Sequence, residues 1–176
     1  MNAKWLWIPL GVALLTGGSK GAERTAPELI AGGQWLNSAP LKLSALRGKV
    51  VIVNIWVHSC INCHNSLPTL KSWYAKYKDQ GLEIVGVHTP EFASDKDLPA
   101  LRESLKEDGV TWPVMQDNAS ATWKAYNNQF WPAFYLVDKR GVIRETHDGE
   151  ISSRYPDAIP GLEATLKKLL AEKSLP

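Results

Sequence analysis

Cys60 and Cys63 are the two cysteines of a 176-residue chain, and they stand three apart in NIWVHSCINCHNSLP, residues 54–68. The pentapeptide CINCH admits two chemistries. As C-x-x-C it is a dithiol that cycles between two thiols and a disulfide. As C-x-x-C-H it satisfies the attachment pattern for c-type haem, with His64 as proximal ligand and Met115 as the candidate distal one. A purely structural role fits poorly. Stabilising disulfides close long loops, whereas this pair closes a tiny ring, and two cysteines do not complete a four-ligand zinc site.

The elements that must position the pair can be read from the flanking residues. Before it runs VVIVNIW (Val50–Trp56), continuous, apolar and β-branched, which predicts a central strand buried on both faces. After it, Ile61, Leu67, Leu70, Trp73, Tyr74 and Tyr77 recur at three- and four-residue steps. This predicts a helix from about Cys60 that ends at Gly81. Pro68 should kink it, because the amide that would bond the His64 carbonyl is missing. The first cysteine then lies where unpaired helix N–H groups and the positive dipole end stabilise a thiolate. The second, one turn on, faces it at a separation suited to a disulfide. Cys60 is the exposed attacker and Cys63 resolves the mixed disulfide.

The rest of the chain supplies a frame. LEIVGVH (Leu82–His88) reads as a second buried strand and TPEFASDKD as a loop. A helix follows over residues 98–108, stopped by Gly109. VTWPVMQD is extended, and residues 119–126 form a short helix. PAFYLVD and GVIRETH flank a turn at residues 138–141 and read as a hairpin. Residues 159–172 form an amphipathic helix. Upstream, GGQWLNSAPLKL suggests another hairpin and LSALRG a single helical turn ended by Gly48. No repeat or second domain is visible. This order predicts an α/β fold: a mixed central sheet with helices on both faces, a right-handed first crossover and an N-terminal β-hairpin extension.

Residues 1–21 read as a secretory signal, with an uncleaved anchor as the alternative. Lys4 precedes the apolar run WLWIPLGVALL, which Pro9 and Gly11 interrupt and which is shorter than the roughly 20 residues of a membrane span. Small residues follow, with cleavage expected after Ser19 or Gly21. The domain, residues 22–176, then works in an oxidising compartment, the periplasm. The net charge is +2, with basic residues scattered among acids, so the sequence offers nothing for nucleic-acid binding.

Several segments together, VVIVNIW-x-x-x-CINC, Pro68 five residues past the second cysteine, GVHTPEF, ATWKAYNNQFWPAFYLVD and G-x-IR, resemble the thioredoxin superfamily. Within it the chain is similar to the TlpA/ResA-like thiol-disulfide oxidoreductases and to the thioredoxin-like domain of DipZ-type proteins. The resemblance covers residues 26–170. It implies a thioredoxin-like fold in which Pro132 is cis and packs beside the dithiol. It further implies that the Trp131 backbone is free to pair with a substrate strand and that Trp56 walls the groove. No bound cofactor is expected, since electrons travel in the dithiol. The expected partners are periplasmic protein disulfides and a membrane thiol-disulfide electron donor, with membrane contact only if the leader stays uncleaved.

Two departures bear on mechanism. Asn54 stands where thioredoxin has a buried Asp; TlpA/ResA-like proteins often place an acid at the end of the second strand, and the resemblance implies that Glu91, near that position, accepts the Cys63 proton, against the plain alternative of an exposed loop glutamate. Ile61 and Asn62 lie between the cysteines instead of Gly-Pro. His58, two residues before Cys60, would stabilise the thiolate if protonated and close; otherwise it is a solvent-facing loop residue. Three other chemistries share parts of this pattern. Sco-type copper carriers share the layout but use C-x-x-x-C; His58, His64 and His88 would be the candidate third ligands here. Peroxiredoxins place Thr where this chain has Val57. Against haem stands the context, a motif behind a buried strand with no spare helical bundle.

Overall fold

A computed structural model describes residues 23–173. The leader expected at residues 1–21 therefore lies outside the described residues. Among those described, no helix is long and apolar enough to cross a membrane.

Six strands form one sheet: β1 (Trp35–Leu36), β2 (Val50–Trp56), β3 (Leu82–His88), β4 (Val114–Gln116), β5 (Ala133–Val137) and β6 (Ile143–Asp148), in the order β1-β4-β3-β2-β5-β6. The sheet is mixed, as its sequence pattern predicts. β2 runs parallel to β3 and antiparallel to β5, and β4 runs parallel to β3. Every residue of β2 is buried. Helix α1 (Ile61–Tyr77) carries the chain from β2 over to β3, and α2 (Leu98–Glu107) connects β3 to β4. α3 (Ala121–Ala125) precedes β5, and α4 (Ala158–Ala171) closes the chain.

The two faces of β2 sort by the strand's period of two. Val50, Ile52 and Trp56 pack with Leu67, Leu70 and Trp73 of α1, Leu101 and Leu105 of α2, and Leu162 and Leu166 of α4. Val51, Val53 and Ile55 pack on the other side with Ala26, Leu43 and Tyr126, and Trp123 of α3 lies against them. A strand buried on both faces in the middle of the sheet is a rigid base, so the loop at its end starts from a fixed point.

The expected N-terminal hairpin does not form. Trp35 and Leu36 pair instead with Met115 and Val114 of β4. Asn37 leaves the strand at φ 61° and its side-chain amide donates to the carbonyls of Val110 and Trp112. The rest of the presumed hairpin goes elsewhere: Leu43 is buried in a 3-10 turn over Leu43–Leu46. Pro40 has no N–H for a ladder, and pairing with β4 covers what would otherwise be an open sheet edge. Pro68 sits inside α1 without ending it; the helix runs unbroken from Ile61 to Tyr77.

One glycine shows how tightly the sheet is filled near the site. Gly86 lies between Asn54 of β2 and Val114 of β4. A Cβ there would come within 3.0 Å of both Trp56 Nε1 and Val114 Cγ2. Gly86→Ala is expected to cost about 1–3 kcal/mol, the range for overpacking a filled core. Denaturant unfolding measures it, and an unchanged midpoint would mean that the neighbours yield without cost.

Candidate functional site

β2 ends at Trp56, the chain turns, and Cys60 becomes the N-cap of α1 with extended backbone (φ −92°, ψ 114°). A helix begins with amides that lack intrahelical partners. Here one of them is used by sulfur: Cys60 Sγ accepts from the Cys63 amide at 3.4 Å. Cys60 is partly exposed and Cys63 is 3% exposed, and neither is oxidised.

The environment separates the two thiols. Cys60 is held down to about 6, first by the hydrogen bond from the Cys63 thiol and then by the amides of Cys63 and Asn62, against burial and the charge of Glu91. Cys63 is pushed far up, first by burial and then by sharing its proton with Cys60. At neutral pH Cys60 is therefore mostly thiolate, the nucleophilic form. Cys63 keeps its proton until something removes it.

Pro132 and Trp131 lie at the same end of the sheet. Ile55 pairs with Ala133, so Pro132 stands one step further, alongside the end of β2. The bond between Trp131 and Pro132 is cis. Trp131 is half-buried; its Nε1 donates to the Thr89 carbonyl at 3.0 Å and its ring lies 4.1 Å from that of Trp123. Its main chain makes no hydrogen bond to the described residues. Thr89 and Trp123 are held in turn by one buried carboxylate. Asp117 accepts from the Thr89 hydroxyl and from the amides of Ala121, Thr122 and Trp123.

Trp56 is placed differently from expectation. It is 2% exposed, packs in the core and meets the His88 ring edge-on at 5.6 Å. It lies beneath the site and cannot wall a groove, because the last residue of a strand buried on both faces still points into a filled layer. His58 is not solvent-facing. Its Nδ1 is 2.9 Å from Nε2 of His88 and the two rings stack at 5.1 Å. His88 is fully buried and is pushed down to about 4 by that burial and then by His58. Parallel register makes this pair, since Trp56 and His88 are partners across β2 and β3. Asn54 is buried, its amide 3.4 Å from the Ala133 carbonyl.

Glu91 is exposed, and its charge raises the proton affinity of both cysteines. Its amide and that of Phe92 donate to Asp95. Burial pushes Asp95 up, but those amides and the Ser59 hydroxyl hold it below the usual carboxylate range. Asp95 thus ties the Glu91 loop to the residue just before Cys60, a role that sequence reading did not assign. Three large apolar side chains stand out on the surface around the site. Ile61, Phe92 and Phe130 are 69%, 59% and 54% exposed, each next to a residue of the site. For Phe92 and Phe130 the signal was available, bulky apolar residues at loop positions that no apolar period requires; Ile61 departs from the helix period it was expected to join, because the first turn of α1 projects from the end of the sheet.

His64 has both ring nitrogens engaged, one with Asp108 and one with the His58 carbonyl. Met115 is buried in the core layer on the other face of the sheet from Cys63. The ligand pair that haem would need is thus committed elsewhere. Among the described residues, no three His, Cys, Asp or Glu side chains gather as a metal site.

Residues 22–166 match the Redoxin family. Protein DipZ of Mycobacterium tuberculosis is 43% identical over 129 residues, 72% of this chain but 19% of DipZ. The chain thus spans about a fifth of that relative's length. Thiol-disulfide oxidoreductase YkuV of Bacillus subtilis is 30% identical over 146 residues, 83% of this chain and 94% of YkuV. The crystal structure of a thioredoxin-like superfamily protein superposes with a TM-score of 0.77 at 29% identity, covering 86% of this chain and 99% of that one.

The separation of the thiols is directly measurable. Alkylation of the reduced protein should follow one ionisation with its midpoint near pH 6, all of it at Cys60, and slow as pH falls through that value. Cys63 should stay unmodified through neutral pH. A midpoint near 8.5, the ordinary thiol value, would contradict the site's electrostatics.

Proposed function

The chain belongs to the Redoxin family and carries the thioredoxin-like fold, and on that premise we propose that it is an exported thiol-disulfide oxidoreductase that reduces disulfides of periplasmic proteins through Cys60 and Cys63. The observation that carries this reading is the unequal pair: a half-exposed thiol that ionises readily, backed by a buried one that does not.

In the forward reaction the Cys60 thiolate attacks one sulfur of a substrate disulfide. That S–S bond breaks, and the departing sulfur leaves as a thiolate that takes a proton from solvent. Cys63 then gives up its proton and attacks Cys60 Sγ. The mixed disulfide breaks, the second substrate sulfur leaves, and the protein holds a Cys60 to Cys63 disulfide. Two electrons have passed to the substrate and must be returned by a dithiol donor, for which a membrane thiol-disulfide transporter is the natural class. No bound cofactor enters the cycle. Glu91 is the proposed acceptor of the Cys63 proton, because its charge acts on both sulfurs.

The substrate meets a surface with two kinds of contact. The unpaired main chain of Trp131, ahead of Pro132, offers a strand-like edge to an extended segment. Ile61, Phe92 and Phe130 add exposed apolar area around it. Export rests on the leader at residues 1–21, cleaved or retained as an anchor.

Cys60→Ser should abolish reduction of insulin, and Cys63→Ser should accumulate a mixed disulfide visible as an intact mass. An active Cys60→Ser protein would sink the mechanism. In the same assay Glu91→Gln should slow release of the mixed disulfide by roughly tenfold or more if it accepts the proton. An unchanged rate returns Glu91 to an ordinary surface residue.

A further inference from the structure

One residue of CINCH has no part in the dithiol cycle. His64 lies in the first turn of α1, one turn after Cys60, and its ring bonds in two directions. Nε2 is 2.6 Å from the main-chain carbonyl of His58. Nδ1 is 3.2 and 3.0 Å from the two carboxylate oxygens of Asp108, which follows the end of α2. Both partners are acceptors, for neither a carbonyl nor an ionised carboxylate has a proton to give. Neutral imidazole has one N–H and one bare nitrogen, so it can serve one partner only and turns a lone pair toward the other. The ring satisfies both partners only when both nitrogens are protonated.

The groups around this contact agree with that count. Ser104 Oγ is 3.2 Å from the same Asp108 carboxylate, and Lys71 Nζ donates to the Asp108 main-chain carbonyl at 2.8 Å. Behind the loop, the His58 ring is occupied by His88. The remaining ionisable groups of the turn are the two cysteines, Cys60 and Cys63.

The carbonyl that His64 holds belongs to the loop that presents the nucleophile. In that loop the Cys60 amide donates to the Val57 carbonyl at 3.2 Å, and the Val57 amide bonds to the Cys63 sulfur. Displacing His58 would disturb both. We propose that His64 is a positioning residue held as an imidazolium, a charged clamp between Asp108 and the His58 carbonyl that fixes residues 57–60 and so the cap geometry of Cys60. The clamp rests on the reading of Cys60 as nucleophile and is indifferent to the substrate or the direction of electron flow.

The first test needs no variant. Long-range proton–nitrogen spectra of the labelled, reduced protein at neutral pH should show both His64 ring nitrogens protonated; a singly protonated ring overturns the clamp. The second compares the rate of Cys60 alkylation at pH 6. His64→Gln is uncharged and Asp108→Asn removes the anion, so each should slow the reaction about two- to fivefold, the size of a charge effect at a helix terminus. His64→Arg is charged and donates on several sides, so it should restore the parent rate. A Gln variant as fast as the parent, or an Arg variant as slow as Gln, rejects the proposal. Neither readout uses insulin turnover, so an inactive protein with an intact clamp would count against the proposed function and leave the clamp standing.

Discussion

The site depends on one arrangement: hydrogen bonds at the start of α1 that end on the sulfur of Cys60. The first amides of a helix need acceptors, and a cysteine at the cap position supplies one. Protonated sulfur is a weak acceptor and thiolate a strong one, so the same bonds that cap the helix favour ionisation. Cys63 adds its own thiol as a donor, yet burial denies it the charge that Cys60 carries. One cap therefore makes two identical side chains unequal, one thiol that ionises readily and one that does not.

Such a cap works only if the loop before it is held still. β2, buried on both faces, fixes one end of that loop. From there polar contacts take over, and each reaches a different element. The His58 ring meets His88 at the end of β3, the Ser59 hydroxyl bonds Asp95, and the His58 carbonyl is bound by His64. Buried polar groups carry a penalty unless they are paired, so these contacts select a single loop conformation. A second network holds the opposite wall. Asp117 caps α3 and binds Thr89, and these two set the indole of Trp131 by stacking and by hydrogen bond. The cysteines and the cis-proline turn are thus positioned independently and meet at one end of the sheet.

Much of this was legible in the sequence because its signals are local. VVIVNIW and LEIVGVH are apolar runs without competing periods, and α1 is written in its three- and four-residue spacing. The dithiol is a matter of spacing behind a strand, and Pro132 at the head of PAFYLVD carried the family resemblance. What escaped depends on partners distant in the chain. The pairing of Trp35 and Leu36 with β4 is decided by which sheet edge needs cover, which no local pattern states. His58 and His88 are 30 residues apart and meet through parallel register, and His64 and Asp108 are 44 apart. Trp56 was misplaced for a simpler reason: it shares the parity of Val50 and Ile52, so it faces the same packed helix layer.

The proposed function requires Cys60 and Cys63 to form a reversible, reducing dithiol couple. The most direct test is its reduction potential, obtained by equilibrating the protein in thiol buffers, alkylating and weighing it intact. A single two-electron transition near the thioredoxin level, around −270 mV, is the predicted result. A value near −120 mV would make the protein an oxidant and contradict the direction. A pair that never exchanges, or a mass heavier by one haem, would contradict the chemistry itself.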